Sequence, residues 1–388
     1  MLYRLTMLCA CALLVASLTA CNDDENVVLS ETSTTASTDG AGDALESGGD
    51  DGAGEGMPGG SDETFAGPAL QTSAAERDAA LNCTAFEHPE KPPVLLVHGT
   101  TVTGTEQYTT FYTPQLVERG FDVCIVTYPD RGLGDMQVSA EYVVHALREM
   151  HAETGRRVAM IGHSQGGLMP RWAIKFWPSA RDALADFVMI AGPNHGTAVA
   201  LPSALPEGLF DLLQLDGLPI GLLPEVLYQF ELGSDFVTAL NAGDETPGDI
   251  DYTNLYTFTD ELVQPVIPTP TAALDFEQAN SRVSNILLQD VCPGHLSDHF
   301  LIGTADSLAF ALALDAISND GPADVERAGG ASGLCGLLPV NLADVAMPGN
   351  VVGLLEIVAS TAQDPMLNLH LAPGEPPLKD YARGEIAQ

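Results

Sequence analysis

Apolar residues along this chain gather in short dense runs separated by segments of helical period. Val94-Leu95-Leu96-Val97, behind two prolines, is an unbroken apolar run of strand length, and Phe121-Asp122-Val123-Cys124-Ile125-Val126 nearly so. Runs of this kind suit strands buried on both faces of a parallel sheet. Between Gln137 and Thr154, Val138, Tyr142, Ala146 and Met150 recur at helical spacing with Val143 and Leu147 beside them. That pattern predicts an amphipathic helix closing near Gly155. Strand texture follows at Val158–Ile161, a helix at Gly167–Phe176 with Pro170 tolerated in its early turns, and further strands at Phe187–Ala191, Asn254–Thr257 and Val283–Leu288. Alternating strands and helices predict an α/β fold, a mostly parallel central sheet with helices on both faces.

Two stretches depart from this rhythm. From Leu201 to Phe230 the chain is apolar and rich in Pro and Gly, which predicts a cap or lid insertion at about 198–240 over a site. From Asn22 to about Ala75 it is Ser, Thr, Gly, Asp and Glu with almost no large apolar residue; such a segment cannot offset its ordering entropy and reads as a disordered acidic tether, taken as residues 21–78. The catalytic domain is then 79–388. Residues 1–20 have a basic start, an apolar run too short for a comfortable membrane span, and the ending Leu18-Thr19-Ala20-Cys21. This is a secretion signal that resembles a bacterial lipobox. The resemblance implies lipid attachment at Cys21 and a membrane partner through that anchor, in the cell envelope with the outer membrane or surface favoured; plain secretion is the alternative.

Composition narrows the function classes. A net charge of −38, from 53 acidic against 15 basic residues, disfavours nucleic acid as a partner. Beyond the signal and Cys21, the cysteines are Cys83, Cys124, Cys292 and Cys335, an even set that an oxidising compartment would pair in one of three ways. No two of them have the short spacing of a structural zinc site, and no metal or organic cofactor is expected, since the serine, histidine and acid described next supply both nucleophile and proton shuttle.

The sharpest chemical signal is Gly162-His163-Ser164-Gln165-Gly166 between a predicted strand and a predicted helix. Small residues there permit the strained turn that lifts a serine hydroxyl above a sheet, the nucleophile elbow of α/β-hydrolases. A serine needs a histidine base and a carboxylate to orient it, in the chain order serine, acid, histidine. After Ser164 come His195, directly behind a strand and too early; His370, in a polar tail; and His295 and His299, in the loop after the last strand. The acid candidates after the Asn254–Thr257 strand are Asp260 and Glu261, with Asp260 nearer the strand end. Oxyanion donors are expected from the N–H of Gln165 and from the loop His98-Gly99-Thr100-Thr101, in which His98 shapes the loop.

With those residues in hand, the chain resembles the Candida antarctica lipase B-like family of α/β-hydrolase serine lipases. The matching stretches are Leu95–Thr100, Gln137–Tyr142, Ser164–Leu168, Arg171-Trp172, Thr253–Tyr256 and Thr259–Pro265. The resemblance implies Ser164 as nucleophile, Asp260 as acid, His299 as base, and Thr100 with Gln165 as the oxyanion hole. It also implies disulfides Cys83–Cys124 and Cys292–Cys335. Substrate-pocket candidates are His163, where the fungal enzyme has tryptophan, Asn194 in place of an acid, Gln229, Leu262 and Val263. The expected activity is hydrolysis of carboxylic esters, lipid esters among them, by a monomer. A polyesterase on the same residues is one alternative, a silent binding module another. The apolar stretches Leu201–Phe230 and Val351–Val358 are expected to line an acyl channel.

Overall fold

The computed structural model describes residues 67–200, 221–276, 280–336 and 368–385. The signal, Cys21, most of the tether, the centre of the cap and Val351–Val358 lie outside them. The strands are β1 (Leu81–Cys83), β2 (Val94–Val97), β3 (Val123–Val126), β4 (Val158–His163), β5 (Leu184–Ile190), β6 (Leu223–Pro224), β7 (Asp251–Tyr256), β8 (Val283–Leu287) and β9 (Leu371–Ala372). Eight helices matter to the site and its supports: α1 (Ala74–Ala79), α2 (Gly104–Tyr108), α3 (Met136–Thr154), α4 (Gln165–Phe176), α5 (Glu225–Gln229), α6 (Asp235–Asn241), α7 (His299–Thr304) and α8 (Ser307–Ser318).

Seven strands form one sheet in the order β1-β3-β2-β4-β5-β7-β8, parallel except for the edge strand β1. Successive side chains on a strand point to opposite faces, and here both faces are buried. Leu95 and Val97 of β2 and Met160 of β4 enter the core beneath α3 and α4, where Tyr142, Leu147 and Trp172 pack. Val94, Leu96, Ala159 and Ile161 enter the opposite core with Tyr112, Leu308 and Leu312. This double burial is the physical origin of the unbroken apolar runs. Helix α3 ends where Gly155 turns left-handed at φ 66°, as its sequence predicts.

Both disulfides are present, Cys83–Cys124 and Cys292–Cys335. Each closes a loop of about forty residues, worth about 4 kcal/mol in the chain-entropy model. The first locks β1 onto β3, where the two cysteines are directly paired.

The ends of the tether and of the tail differ from expectation. Residues 67–78, read as tether, are folded: Trp177 Nε1 donates to the Pro68 carbonyl at 2.7 Å, and the amides of Gln71 and Thr72 each donate to Glu141 Oε2 at 2.7 Å. The segment is held by the buried carboxylate of Glu141 on α3 and by Leu70 packing against the core, while α1 itself buries no residue. The segment carrying His370, read as a polar tail, is a strap. Its β9 pairs with β6, Lys379 N donates to Gln137 Oε1 at 2.7 Å, and Tyr381 packs against Trp172 and Trp177. In the described part of the cap, Leu223–Asn241 folds as β6, α5 and α6.

Candidate active site

Ser164 sits where β4 gives way to α4, at φ 56° and ψ −120°. An L-residue tolerates that left-handed backbone only under constraint. The constraint is close packing: a Cβ on Gly162 would lie 1.9 Å from the Gly166 carbonyl oxygen, and one on Gly166 would lie 2.1 Å from that of Val97. Only glycine fits either place, which is why the elbow carries both. The Ser164 amide donates to Ile190 O at 2.9 Å, tying the turn to β5.

His299 Nε2 is 2.9 Å from Ser164 Oγ, and His299 Nδ1 is 2.9 Å from Asp260 Oδ2. With Nδ1 donating to the carboxylate, Nε2 is left to accept the serine proton. The amides of Leu262 and Val263 donate to Asp260 Oδ1 at 2.8 and 2.7 Å. Burial alone would raise the Asp260 pKa, but the His299 charge and hydrogen bond and these two amides together hold it below the usual carboxylate value. Burial alone would likewise lower that of His299; Asp260 at its ring, aided by Glu261 and Asp298, outweighs burial and raises it.

Four contacts fix the backbone and loop that carry His299. Its amide donates to Glu261 Oε2 at 3.0 Å; Asp298 caps α7 by accepting from Leu301 N at 2.7 Å; and Thr257 and Thr259 both donate to the Ser297 carbonyl, at 2.9 and 2.7 Å. Glu261, the second acid candidate, thus holds the main chain of His299 while Asp260 holds its ring.

Thr100 donates through Oγ1 to Gln165 Oε1 at 3.1 Å, and Gln165 Nε2 donates to Gly132 O at 3.1 Å. Thr100 and the head of α4 therefore stand side by side at the nucleophile. His98 is buried, stacked on Tyr128 at 3.8 Å, with its pKa pushed down to about 4 by burial; it shapes the loop as a neutral ring. The other late histidines are held away from Ser164: His195 against Glu245 Oε1 at 2.9 Å, His295 against Asp306 Oδ2 at 2.7 Å, and His370 against Asp130 Oδ2 at 2.6 Å.

The five pocket candidates have distinct surroundings. Gln229 is fully buried and locks α5 to the start of α3, accepting from Met136 N at 2.8 Å and donating to Asp135 Oδ1 at 2.7 Å. Asn194, also fully buried, donates to Asn254 Oδ1 at 3.1 Å and to Ala272 O at 2.7 Å. Val263 belongs to an apolar cluster with Tyr256, Val266 and Ala272 and lines a small cleft with Asp260, Pro265 and Pro270. His163 is buried under α7, where its Nε2 donates to the His299 carbonyl at 2.8 Å. Leu262 is half-buried, its carbonyl accepting from Thr197 Oγ1 at 2.6 Å. Among the described residues no group of three His, Cys, Asp or Glu side chains is arranged to hold a metal ion.

The model of the lipase (class 2) family matches residues 91–285, half of the chain, spanning Thr100, the elbow and Asp260. The chain belongs to the class 2 lipase family. Lipase B of Pseudozyma antarctica is 33% identical to this chain over 236 residues, which cover 60% of this chain and 64% of that protein. The matched region therefore spans slightly less than two thirds of the curated relative. Among solved structures, Aspergillus fumigatus lipase B aligns with a TM-score of 0.67 and 30% identity, covering 82% of this chain and 74% of that one. The fold is accordingly that of an α/β-hydrolase, and His299, in α7 beyond the matched model, extends the site past the family's most recognisable segment.

Proposed function

We propose that this class 2 lipase hydrolyses carboxylic esters through an acyl-enzyme on Ser164, with lipid esters such as acylglycerols as its substrate class. The observation that carries the reading is the continuous hydrogen-bonded chain from Ser164 Oγ through His299 to Asp260, each link 2.9 Å. As Oγ attacks the ester carbonyl, His299 Nε2 takes its proton, and ionised Asp260 stabilises the imidazolium that forms. Negative charge develops on the carbonyl oxygen, where the N–H of Gln165 and the N–H and hydroxyl of Thr100 are the donors. The Thr100 hydroxyl turns from Gln165 Oε1 toward that oxygen as the charge appears. His299 then protonates the departing alcohol. Water, deprotonated by the same ring, attacks the acyl-enzyme and releases the acid. Leu262, beside the acid, is the candidate for the substrate-facing apolar wall. Attachment through a lipid on Cys21 belongs to the same reading and is supported by the sequence ending Leu-Thr-Ala-Cys.

The test is turnover of p-nitrophenyl esters from acetate to palmitate, with emulsified triacylglycerol in parallel. Activity on the long chains and the emulsion is expected, together with a loss of at least about 10³-fold in kcat for Ser164→Ala, because the hydroxyl is the nucleophile. Activity confined to short chains would move the substrate to small esters or a polyester. Full turnover by Ser164→Ala would overturn the mechanism.

A further inference from the structure

Around the oxyanion donors runs a closed circuit of hydrogen bonds that no single stretch of sequence contains. Thr100 Oγ1 donates to Gln165 Oε1 at 3.1 Å, Gln165 Nε2 donates to Gly132 O at 3.1 Å, and Thr101 N donates to Arg131 O at 2.7 Å. The covalent steps Gly132–Arg131 and Thr101–Thr100 close the ring. Three of the residues on or beside it hold left-handed backbones: Thr101 at φ 72°, Asp130 at φ 51° and Arg131 at φ 54°. A β-branched threonine in that region is a true outlier, and such residues persist only where neighbours over-determine them.

The neighbour that does so is an ion pair. Arg131, with a side chain only 9% exposed, forks onto Glu106 through both terminal nitrogens, Nη2 lying 2.9 Å from Oε1. Glu106 belongs to α2, immediately after the oxyanion loop. It accepts from Thr103 N at 2.8 Å while its own amide donates to Thr103 Oγ1 at 3.2 Å, a reciprocal cap on the helix start. At the loop's other end, Gln107 of the same helix accepts from Gly99 N at 2.9 Å. Residues 99–106 are thus pinned at both ends by α2 and held in the middle by Arg131, which reaches across from the loop 129–132.

We infer that Arg131 and Glu106 are positioning residues of the oxyanion hole: their bidentate pair holds the strained loop so that the backbone N–H groups of Thr100 and Gln165 face the place of the developing oxyanion before substrate arrives, leaving only the Thr100 hydroxyl to turn. The inference rests on the ester-hydrolase reading above. A bidentate guanidinium–carboxylate pair fixes direction as well as distance, which a lysine could not reproduce. Donors aligned in advance act on the transition state and not on the bound ester, so the effect falls on kcat.

The test uses Glu106→Gln, which keeps a capping oxygen for Thr103 but removes the charge, and Arg131→Met, which keeps the stem but removes the fork. Both are assayed well below their melting temperatures. Expected are a 10- to 100-fold loss of kcat with KM within about twofold, a matching loss in the rate of Ser164 labelling by a fluorophosphonate, and a double variant no worse than the poorer single, since both break one unit. Amide hydrogen exchange across residues 99–104 should quicken in both unliganded variants. Unchanged kcat in folded variants, or kcat and KM changing together, overturns the inference. If the wild-type protein neither turns over esters nor takes the label, the ester-hydrolase reading fails instead; unchanged exchange in the variants would then overturn the brace separately.

Discussion

At the level of single residues, the proposed reaction depends on one histidine being neutral when it begins. His299 accepts the Ser164 proton only from its unprotonated form, and Asp260, aided by Glu261 and Asp298, raises its pKa above 6.5 against the opposing pull of burial. Protonation therefore switches the base off from the acid side. kcat/KM for a p-nitrophenyl ester should decline as pH falls, with a midpoint above pH 6.5. Replacing Asp260 by Asn should move that midpoint down as well as slowing turnover by several orders of magnitude, because it removes the charge that raises the base. A midpoint near pH 4 in the wild type would mean that another group carries the proton. Ser164 and Asp260 were legible in the sequence, because an elbow motif and a strand-end acid are local patterns. Choosing His299 over His295 four residues away needed the family resemblance. Only packing sends His295 to the buried Asp306 at the start of α8 and His299 to the serine.

Between elements, the join that matters is the one from β4 to α7. His163, at the end of β4, donates from Nε2 to the carbonyl of His299 at 2.8 Å, and its ring lies so close to α7 that a Cβ on Gly303 would sit 2.0 Å from it. Burial, together with the positive charge that His299 gains, pushes its pKa down to about 3, so it stays neutral beside the imidazolium. His163→Phe should lower kcat by about tenfold, the scale of one lost buried hydrogen bond at ~1 kcal/mol. His163→Gln, which keeps a nitrogen donor at similar reach, should remain within about threefold. A fall in melting temperature in both with kcat unaltered would reduce His163 to packing. His163 entered as a pocket candidate through the family resemblance, which has tryptophan at that place; its bond to the His299 carbonyl is a tertiary contact that no local pattern announces. Elements themselves were read well wherever both faces of a strand were buried, as in β2, β4 and β5. Edge strand β1 and helix α1 escaped notice, since three residues and an unburied helix leave no apolar period to detect.

For the molecule as a whole, burying an acid on β5 carries a cost. Burial first, and then the charge of nearby Asp251, push Asp186 up to about 7. In the unfolded chain it ionises near 3.8. Stability linked to this group is therefore full below about pH 4, falls as pH rises, and is wholly lost above about 7, by up to about 4 kcal/mol. Asp186→Asn should raise the melting temperature at pH 8 by several degrees and have little effect at pH 4; an equal gain at both would remove the proton linkage as the cause. The same scale explains why the tether boundary and the packing of the His370 segment were not legible in the sequence. The first described residues, 67–73, are held by the buried Glu141 and by Trp177, and the His370 segment by pairing with β6. Those partners lie between about 70 and 150 positions away in the chain.

The division between sequence and structure follows the range of the forces. Whatever depends on neighbours a few residues apart was determined by the sequence alone: the alternation of buried strands and helices, the glycines of the elbow, and the order of serine, acid and histidine. Tertiary structure decided what depends on distant residues meeting: that Gln229 ties Met136 and Asp135 to its helix and Asn194 ties Asn254 to Ala272, that Glu261 holds the main chain of His299, and that Arg131 grips Glu106 beside the oxyanion loop. Hydrogen bonds and ion pairs between such residues leave no periodicity, because either partner alone is an ordinary polar side chain until the fold brings the other to it.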